Sequence, residues 1–273
     1  MHGAGNDYIY VDCTRELVAD PESLAIRLSD RHKGIGADGL VLILPSTRGD
    51  FRMRMFNADG SEAQMCGNAS RCVGRYVFDH GLTTKTELEL ETKAGLRHLS
   101  LHNTGTGIDV ISVDMGQPQF SPSSLPVDLP DAGAIVGKRV KVGGREERIT
   151  CVSMGNPHTV IFVDRLADTD VLARGPQIEA DPLFPERTNV EFVEVLAADH
   201  LLMRVWERGS GETMACGTGA CAAVVAAVLN GLASRRCTVS LPGGDLQIAW
   251  DERTNRVTLT GEAVEVFSGE LTA

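Results

Sequence analysis

Apolar residues lie along the chain in short runs separated by polar turns, which is the pattern of β-strands. Most runs are 4 to 7 residues long and end at Gly, Asp, Asn or Pro. The chain is therefore expected to consist mainly of short strands. They are predicted over residues 8–11, 40–44, 87–91, 108–113, 159–163, 190–195, 201–205, 239–241 and 257–259.

Three other stretches predict helices. Asp20 can cap a first helix that begins at Pro21. The second begins near Cys66 and stops at Gly81, and the third covers residues 217–229. The third is apolar on nearly every face, so it belongs in a core rather than on a surface.

The second half of the chain repeats features of the first at an offset of 150 residues. Between residues 53–82 and 203–232, 7 of the 30 pairs are identical, against about two expected by chance. The identical pairs are Met53/Met203, Arg54/Arg204, Glu62/Glu212, Cys66/Cys216, Gly67/Gly217, Gly81/Gly231 and Leu82/Leu232. A single long period of this kind predicts two similar domains that face each other.

The repeat and the element pattern together predict an α+β fold of two pseudo-symmetric domains. Each domain is expected to be a mostly antiparallel β-sheet or barrel wrapped around one central helix. Residues 1–112 form the first domain, to which a C-terminal strand at 259–273 returns, and residues 113–258 form the second. Two equivalent cysteines on opposite sides of a cleft are what inversion of a carbon stereocentre needs.

Cys66 and Cys216 differ from the other cysteines because each lies at the predicted start of a helix. Unpaired backbone N–H groups and the macrodipole at that end stabilise negative charge. We therefore expect the pKa of each thiol to fall from about 8.5 towards neutrality. The remaining cysteines are interpreted as small buried apolar residues.

Glycines beside the two cysteines, Gly67 and Gly217, let backbone amides approach a ligand closely. Such amides can hold the carboxylate of an amino acid, which gains negative charge as the α-proton leaves. A thiolate on one face removes that proton and a thiol on the other face returns one. This chemistry needs no cofactor, neither a Schiff base nor a metal.

Other motifs fit their usual functions poorly. Residues 34–39 match G-x-G-x-x-G but precede a strand, and residues 217–222 open a helix without a surrounding βαβ pattern. The spacings from Cys66 to Cys72 and from Cys216 to Cys221 do not suit zinc.

The charge balance narrows the class of partner. With 26 Lys and Arg against 37 Asp and Glu, the net charge is −11, which argues against nucleic acid or an anionic membrane surface. No apolar run approaches the roughly 18 residues that span a bilayer, and the N-terminus lacks the layout of a signal peptide. We expect a cytoplasmic protein that acts on a small molecule.

Seven motifs in order carry a resemblance across essentially the whole chain. They are residues 1–7 (MHGAGND), 57–62 (NADGSE), 66–68 (CGN), 154–158 (MGNPH), 186–190 (ERTNV), 207–213 (ERGSGET) and 215–219 (ACGTG). In these motifs the chain resembles the diaminopimelate epimerase family. The resemblance implies interconversion of LL- and meso-diaminopimelate without pyridoxal phosphate, for lysine and peptidoglycan synthesis, by a homodimer.

The resemblance also implies roles for individual residues. Cys66 and Cys216 would be the acid/base thiols, and His158 and Glu207 would tune them. Arg208 would hold the distal carboxylate, since a guanidinium pairs well with carboxylates. The residues implied to bind substrate are Asn6, Asn57, Gly67, Asn68, Asn156, Asn189, Glu207, Arg208, Gly217 and Thr218.

Two alternatives stay open. Another cofactor-independent racemase on the same fold, acting for example on histidine, would not need Arg208. A non-enzymatic binding protein of two mirrored lobes would need neither thiol.

Overall fold

The protein is described by a computed structural model over residues 1–103, 107–121, 124–129 and 133–271. The chain divides into two compact units, Met1–Asp114 with Thr260–Ala273, and Met115–Leu259. That the units are the two functional halves stays a prediction. Within the described ranges, no helix has both the length and the apolar character needed to cross a membrane.

The N-terminal unit is a mixed sheet with two helices among its described residues. Its elements are β1 (His2–Gly3), β2 (Asn6–Asp7), β3 (Ile9–Asp12), α1 (Pro21–Ser29), β4 (Gly39–Leu44), β5 (Phe51–Asn57), α2 (Gly67–Asp79), β6 (Glu87–Thr92), β7 (Gly95–Asn103) and β8 (Ile108–Gly116). The strand order is β3-β4-β5-β6-β7-β8. Strands β3/β4 and β5/β6 are parallel, whereas β4/β5, β6/β7 and β7/β8 are antiparallel.

Helix α2 begins at its cap residue Cys66 and buries most of its length. Ala69, Cys72 and Val77 are fully buried along it. Gly74 lies against the leucines of β7, where an added Cβ would come within 3.3 Å of Leu99. Small residues thus let this helix pack closely against the sheet.

The C-terminal unit has the same kind of construction. Its elements are β9 (Lys138–Val142), β10 (Arg145–Ser153), β11 (Pro157–Phe162), a 3₁₀ turn (Leu166–Asp168), α3 (Val171–Glu179), β12 (Asn189–Ala197), β13 (His200–Glu207), β14 (Gly211–Thr213), α4 (Gly217–Leu229), β15 (Arg236–Leu241) and β16 (Gly244–Trp250). A last strand, β17 (Val257–Glu262), spans the division between the units. The order is β9-β10-β11-β12-β13-β15-β16, with β14 paired to β13.

Helix α4 is the core of this unit. Every residue from Gly219 to Ala227 is buried, as its all-apolar sequence predicts. The helix ends at Leu229, Asn230 is its C-cap residue, and Gly231 follows with a φ of +69°. The N–H of Gly231 and that of Leu232 bond back to carbonyls of the last turn, so a left-handed glycine closes the helix.

The two units share one topology, which confirms the predicted pseudo-symmetric α+β fold. Strand β3 is parallel to β4, and β5 to β6, just as β11 is parallel to β12 and β13 to β15. An ion pair recurs with the repeat. Nε of Arg54 lies 2.8 Å from Oε1 of Glu62, and Nε of Arg204 lies 2.6 Å from Oε1 of Glu212.

Several elements were not predicted from the sequence. They are β5, β7, β9, β10, β16 and α3, besides the short strands β1, β2 and β14. Strand β9 carries mostly charged side chains, and β7 combines the buried Leu99 and Leu101 with several charged or polar residues. Helix α3 contains Pro176, which argues against a helix when read from the sequence alone.

Candidate active site

Each of the two cysteines caps a helix. Cys66 has an extended backbone, and its Sγ accepts from the N–H of Ala69 at 3.5 Å at the start of α2. Cys216 does the same for α4, accepting from the N–H of Gly219 at 3.4 Å. A sulfur thus takes the place of the usual capping oxygen, and the predicted location at a helix N-terminus is confirmed for both.

In the N-terminal unit, Cys66 is connected to a charged network through Asn6. Sγ of Cys66 lies 3.5 Å from Oδ1 of Asn6, whose Nδ2 donates to Oδ2 of Asp38 at 2.7 Å. Arg31 bridges Asp38 and Asp7. Burial and the neighbouring charge of Asp7 raise the pKa of Asp38. The hydrogen bond from Nδ2 of Asn6 to Asp38 fixes the orientation of the Asn6 amide.

The other residues predicted in this unit lie on two elements. Gly67 and Asn68 form the first turn of α2 and are buried. Asn57 ends β5, pairs with Gly39 across the sheet, and donates from Nδ2 to Ser61 at 3.0 Å. A Cβ on Gly39 would lie 2.0 Å from the carbonyl oxygen of Phe56, so no side chain fits beside Asn57.

In the C-terminal unit, Cys216 is enclosed by polar groups. Its Sγ lies 3.5 Å from Oγ1 of Thr218, and it interacts with the carboxylate of Glu207 at the end of β13. The hydroxyl of Thr213, on β14, donates to the same carboxylate. Burial raises the pKa of Glu207. A carboxyl group is thus held directly beside this thiol.

Burial raises the pKa of the Cys216 thiol well above its usual range, and the charges of Glu207 and Glu191 raise it further. Hydrogen bonds with Thr218 and from Gly219 lower this pKa, but their effect is smaller. The expectation of a lowered pKa is therefore wrong for Cys216. The helix terminus is present, but two carboxylates and full burial outweigh it.

His158 lies inside this cluster and is 0% exposed. Its Nδ1 is 2.7 Å from Oε1 of Glu191 and its Nε2 is 3.0 Å from Oδ1 of Asn156. Nδ2 of Asn156 reaches Oγ1 of Thr218 at 3.4 Å. His158 is thus connected to Cys216 through two intervening side chains.

Asn189 and Arg208 form a second connection, at the edge of β12. Nδ2 of Asn189 donates to the carbonyl of Pro157 at 2.8 Å, and its Oδ1 accepts from the backbone N–H of Arg208 at 2.9 Å. The guanidinium of Arg208 is exposed and donates to the carbonyl of Glu186 at 3.1 Å. The backbone N–H of Arg208 is therefore held by the side chain of Asn189, whereas its guanidinium is exposed and bonds to a backbone carbonyl. Gly217, also predicted, is the buried first residue of α4.

Three acidic residues of these networks were not among the predicted residues. Asp38 lies in the glycine-rich segment 34–39, whose sequence indicates only a poorly fitting dinucleotide motif. Glu191 lies within the predicted apolar strand 190–195. A charged residue between Val190 and Phe192 is the feature of the sequence that could have indicated a functional carboxylate there. Glu179, which accepts from the N–H of Gly209 next to Arg208 at 2.9 Å, ends α3, a helix that the sequence does not predict.

Among the described residues, no group of three or more His, Cys, Asp or Glu side chains is arranged to hold a metal ion. The polar groups around the two thiols are instead hydrogen-bond donors and acceptors. They suit an organic ligand with carboxylate and amine groups.

Comparison with known proteins places the chain in a family. The family model described as diaminopimelate epimerase matches residues 1–121 and 150–266. A diaminopimelate epimerase of Acetivibrio thermocellus is 55% identical over 271 residues, covering 99% of this chain and 96% of the relative. One of Methanococcus maripaludis is 47% identical, covering 99% and 98%.

Solved structures with the same fold are more distant in sequence. A phenazine biosynthesis protein of the PhzF family from Bacillus anthracis has a TM-score of 0.73 at 18% identity, covering 100% of this chain and 95% of that one. A hydroxyproline epimerase from Agrobacterium vitis has a TM-score of 0.66 at 16% identity, covering 96% and 86%. The fold is shared with these, and the full-length match to the family model and its relatives shows that the chain belongs to the diaminopimelate epimerase family.

Proposed function

We propose that the protein interconverts LL- and meso-diaminopimelate by a two-thiol mechanism without pyridoxal phosphate. The observation that carries this proposal is the pair of cysteines, Cys66 and Cys216, each capping a helix in one of two units of like topology. Relatives that are 55% and 53% identical over 99% of this chain are named diaminopimelate epimerases. Their names support the same substrate here. The role in lysine and peptidoglycan synthesis follows from that substrate.

The reaction exchanges one proton on a carbon. A thiolate takes the α-proton, the C–H electron pair moves into the carboxylate as an enediolate, and a thiol delivers its proton to the opposite face. The first sulfur is left as a thiol and the second as a thiolate. Backbone N–H groups at a helix N-terminus can stabilise the charge that develops on the carboxylate.

The environment of Cys216 suits it to be the proton donor of the resting enzyme. Burial, Glu207 and Glu191 keep the pKa of its thiol high, so it binds its proton before substrate arrives. When Cys216 donates its proton to the substrate, Cys66 acts as the base that removes the α-proton. The assignment reverses for the opposite direction of turnover, as microscopic reversibility requires.

The remaining predicted residues are proposed to bind the substrate. Gly67, Asn68, Gly217 and Thr218 lie in the first turns of α2 and α4, where amides can hold the reacting carboxylate. Asn6, Asn57, Asn156, Asn189 and Glu207 supply polar groups for the amines and carboxylates. Among the described residues, the exposed guanidinium of Arg208 donates only to the carbonyl of Glu186, so it can turn to a distal carboxylate.

The test is α-proton exchange in deuterated water, followed by NMR, with LL-diaminopimelate and a panel of single-ended amino acids that includes histidine. Deuterium entering diaminopimelate alone, with meso product and no added cofactor, is the expected result. Exchange in histidine instead would replace the substrate while keeping the chemistry. No exchange in any amino acid would refute the enzyme and favour a binding protein.

The homodimer and the cytoplasmic location expected from the sequence stay predictions. Light scattering on the eluting protein would report the mass relative to the chain's 29.3 kDa. Fractionation of cells that express the native gene would report the location.

A further inference from the structure

Glu191 is a fully buried carboxylate to which the two-thiol reaction assigns no task. It lies in β12 between Val190 and Phe192, and all three residues are 0% exposed. Within the described part of the chain, its Oε2 makes no hydrogen bond, whereas Oε1 lies 2.7 Å from Nδ1 of His158. An ionised carboxylate in such a place is costly unless it is paired, so its partner determines its role.

Both ring nitrogens of His158 face oxygen atoms. Nδ1 faces the carboxylate of Glu191 and Nε2 faces Oδ1 of Asn156 at 3.0 Å. An imidazole donates from both nitrogens only when it carries two protons. The geometry is therefore that of an imidazolium paired with a carboxylate, and this pair has no net charge to bury.

The carboxylate of Glu191 lies close to the N-terminus of α4. A Cβ on Gly219 would lie 2.7 Å from Oε1 of Glu191 and 3.3 Å from Sγ of Cys216. The carboxylate thus lies against the first turn of the helix, where the macrodipole favours negative charge. Because the same point is 3.3 Å from Sγ of Cys216, the carboxylate of Glu191 also lies near the thiol.

The hydrogen bonds from His158 to Cys216 have one direction. Oδ1 of Asn156 accepts from Nε2, which leaves its Nδ2 to donate to Oγ1 of Thr218 at 3.4 Å. Having accepted that bond, the Thr218 hydroxyl can donate its proton to Sγ of Cys216, 3.5 Å away. A hydrogen bond donated to sulfur stabilises the thiolate form.

We propose that Glu191 is a positioning residue that keeps His158 doubly protonated, so that the chain through Asn156 and Thr218 ends in a donor aimed at the sulfur of Cys216. The inference rests on the proposed function, in which this sulfur alternates between thiol and thiolate. Burial and two carboxylates oppose the thiolate, and the donor from Thr218 offsets part of that cost at the moment the proton leaves.

Two other groups near His158 could affect its protonation. The carboxylate of Glu207 interacts with it electrostatically from β13, and the thiol of Cys216 lies beyond Asn156 and Thr218. Glu191 alone among the carboxylates bonds directly to the ring in the described structure. Removing its charge should therefore change the ring more than any other single substitution.

The test is ¹⁵N NMR of the histidine rings in the full chain, with the His158 signals assigned by their loss in His158→Gln. In the wild type at neutral pH, both ring nitrogens of His158 should carry protons. In Glu191→Gln one nitrogen should be unprotonated, because an imidazolium beside a neutral amide would be a buried charge without a partner. Glu194→Gln is the matched control on the same strand. Its carboxylate accepts from the N–H of Leu166, and it should leave the signals unchanged.

Steady-state kinetics with diaminopimelate supply a second readout. In Glu191→Gln the value of kcat should fall by about 10- to 100-fold, the effect of one hydrogen bond to a charged group. KM should change by less than about threefold, since no substrate contact is removed. A wild-type spectrum with one unprotonated nitrogen, or unchanged kcat in Glu191→Gln, would overturn the inference.

These outcomes separate the inference from the proposed function. If the wild type epimerises diaminopimelate but His158 carries a single ring proton, the function stands and the inference is wrong. If His158 carries two protons and Glu191→Gln loses one, the pair is established whatever the substrate proves to be. Should Glu191→Gln fail to fold, the wild-type spectrum alone decides.

Discussion

The ring of Trp206 lies directly on the backbone of Gly175, so that a Cβ added at residue 175 would come within 2.5 Å of Cγ of the indole. This contact joins α3 to β13. Nε1 of the indole donates to Oε2 of Glu179 at 2.7 Å, and Oε1 of that carboxylate accepts from the N–H of Gly209 at 2.9 Å. One close contact between a helix and a strand thus supports the segment that carries Arg208.

Replacing Gly175 by alanine should lower the free energy of unfolding by about 1–3 kcal/mol, the cost of overpacking a closed contact. Urea denaturation followed by Trp fluorescence measures it directly. Gly133→Ala is the control, because a Cβ there meets no atom within 4 Å. Equal unfolding free energies for the two variants would contradict the packing described.

Replacing either Cys66 or Cys216 by alanine should reduce epimerisation by about 10²–10⁴-fold, the usual contribution of a positioned acid or base. Each sulfur caps a helix, so the fold must be checked by circular dichroism in parallel. Cys221→Ala removes a buried thiol from the second turn of α4 and should retain activity. Full activity in either of the first two variants would exclude the two-thiol mechanism.

The position of these two thiols could be predicted from the sequence because it depends on local signals. A repeat at a fixed offset, two glycine-rich helix starts and one all-apolar helix are readable without any tertiary contact. The burial of α4 follows from composition alone, since alanine and valine on every face leave the core as the sole favourable location.

The environment of the thiols could not be predicted in the same way. Glu191 is 25 residues from Cys216 in sequence and reaches it only because β12 packs against α4. Burial and two carboxylates then reverse the expected direction of the thiol pKa. Strand β9 was missed for a related reason, since its pairing with β10, rather than its own apolar content, holds it in the sheet.

Glu207→Gln should lower the pKa of the Cys216 thiol, because it removes a negative charge and a carboxylate partner beside the sulfur. The thiolate fraction at pH 7–8 then rises, and the rate of alkylation by iodoacetamide rises with it. Peptide mass spectrometry isolates the modification at Cys216. Glu212→Gln, which breaks the ion pair with Arg204, should leave that rate unchanged, and a slower reaction in Glu207→Gln would contradict the assignment.

Cys151 should make the fold sensitive to alkali. Burial raises the pKa of its thiol to about 12, above the value of 9.0 of an unperturbed cysteine. The folded state therefore keeps a proton that the unfolded chain loses above pH 9, so stability is full below that pH and declines as pH rises. The decline is about 1.4 kcal/mol per pH unit for one group.

The measurement is the free energy of unfolding of wild type and Cys151→Val between pH 8 and pH 10.5. The wild type should lose stability more steeply, because other titrating groups are common to both proteins. Cys237→Ala serves as a comparison. The pKa of this thiol is also raised, but the group is less deeply buried, so its removal should change the pH dependence of stability less than Cys151→Val does. Parallel curves for wild type and Cys151→Val would show that Cys151 does not contribute.

The contact between Gly219 and Glu191 fixes an order in which these two positions can change over evolution. With the carboxylate present, a methyl group at residue 219 would come within 2.7 Å of Oε1, so alanine there would displace the carboxylate from its contact with Nδ1 of His158. Loss of the carboxylate leaves the glycine undisturbed and removes the shortest of these contacts, so that only those with Cβ and Sγ of Cys216, at 3.3 Å, remain at residue 219. Descendants of this chain that carry a side chain at 219 should therefore have passed through ancestors that had already given up the acid at 191.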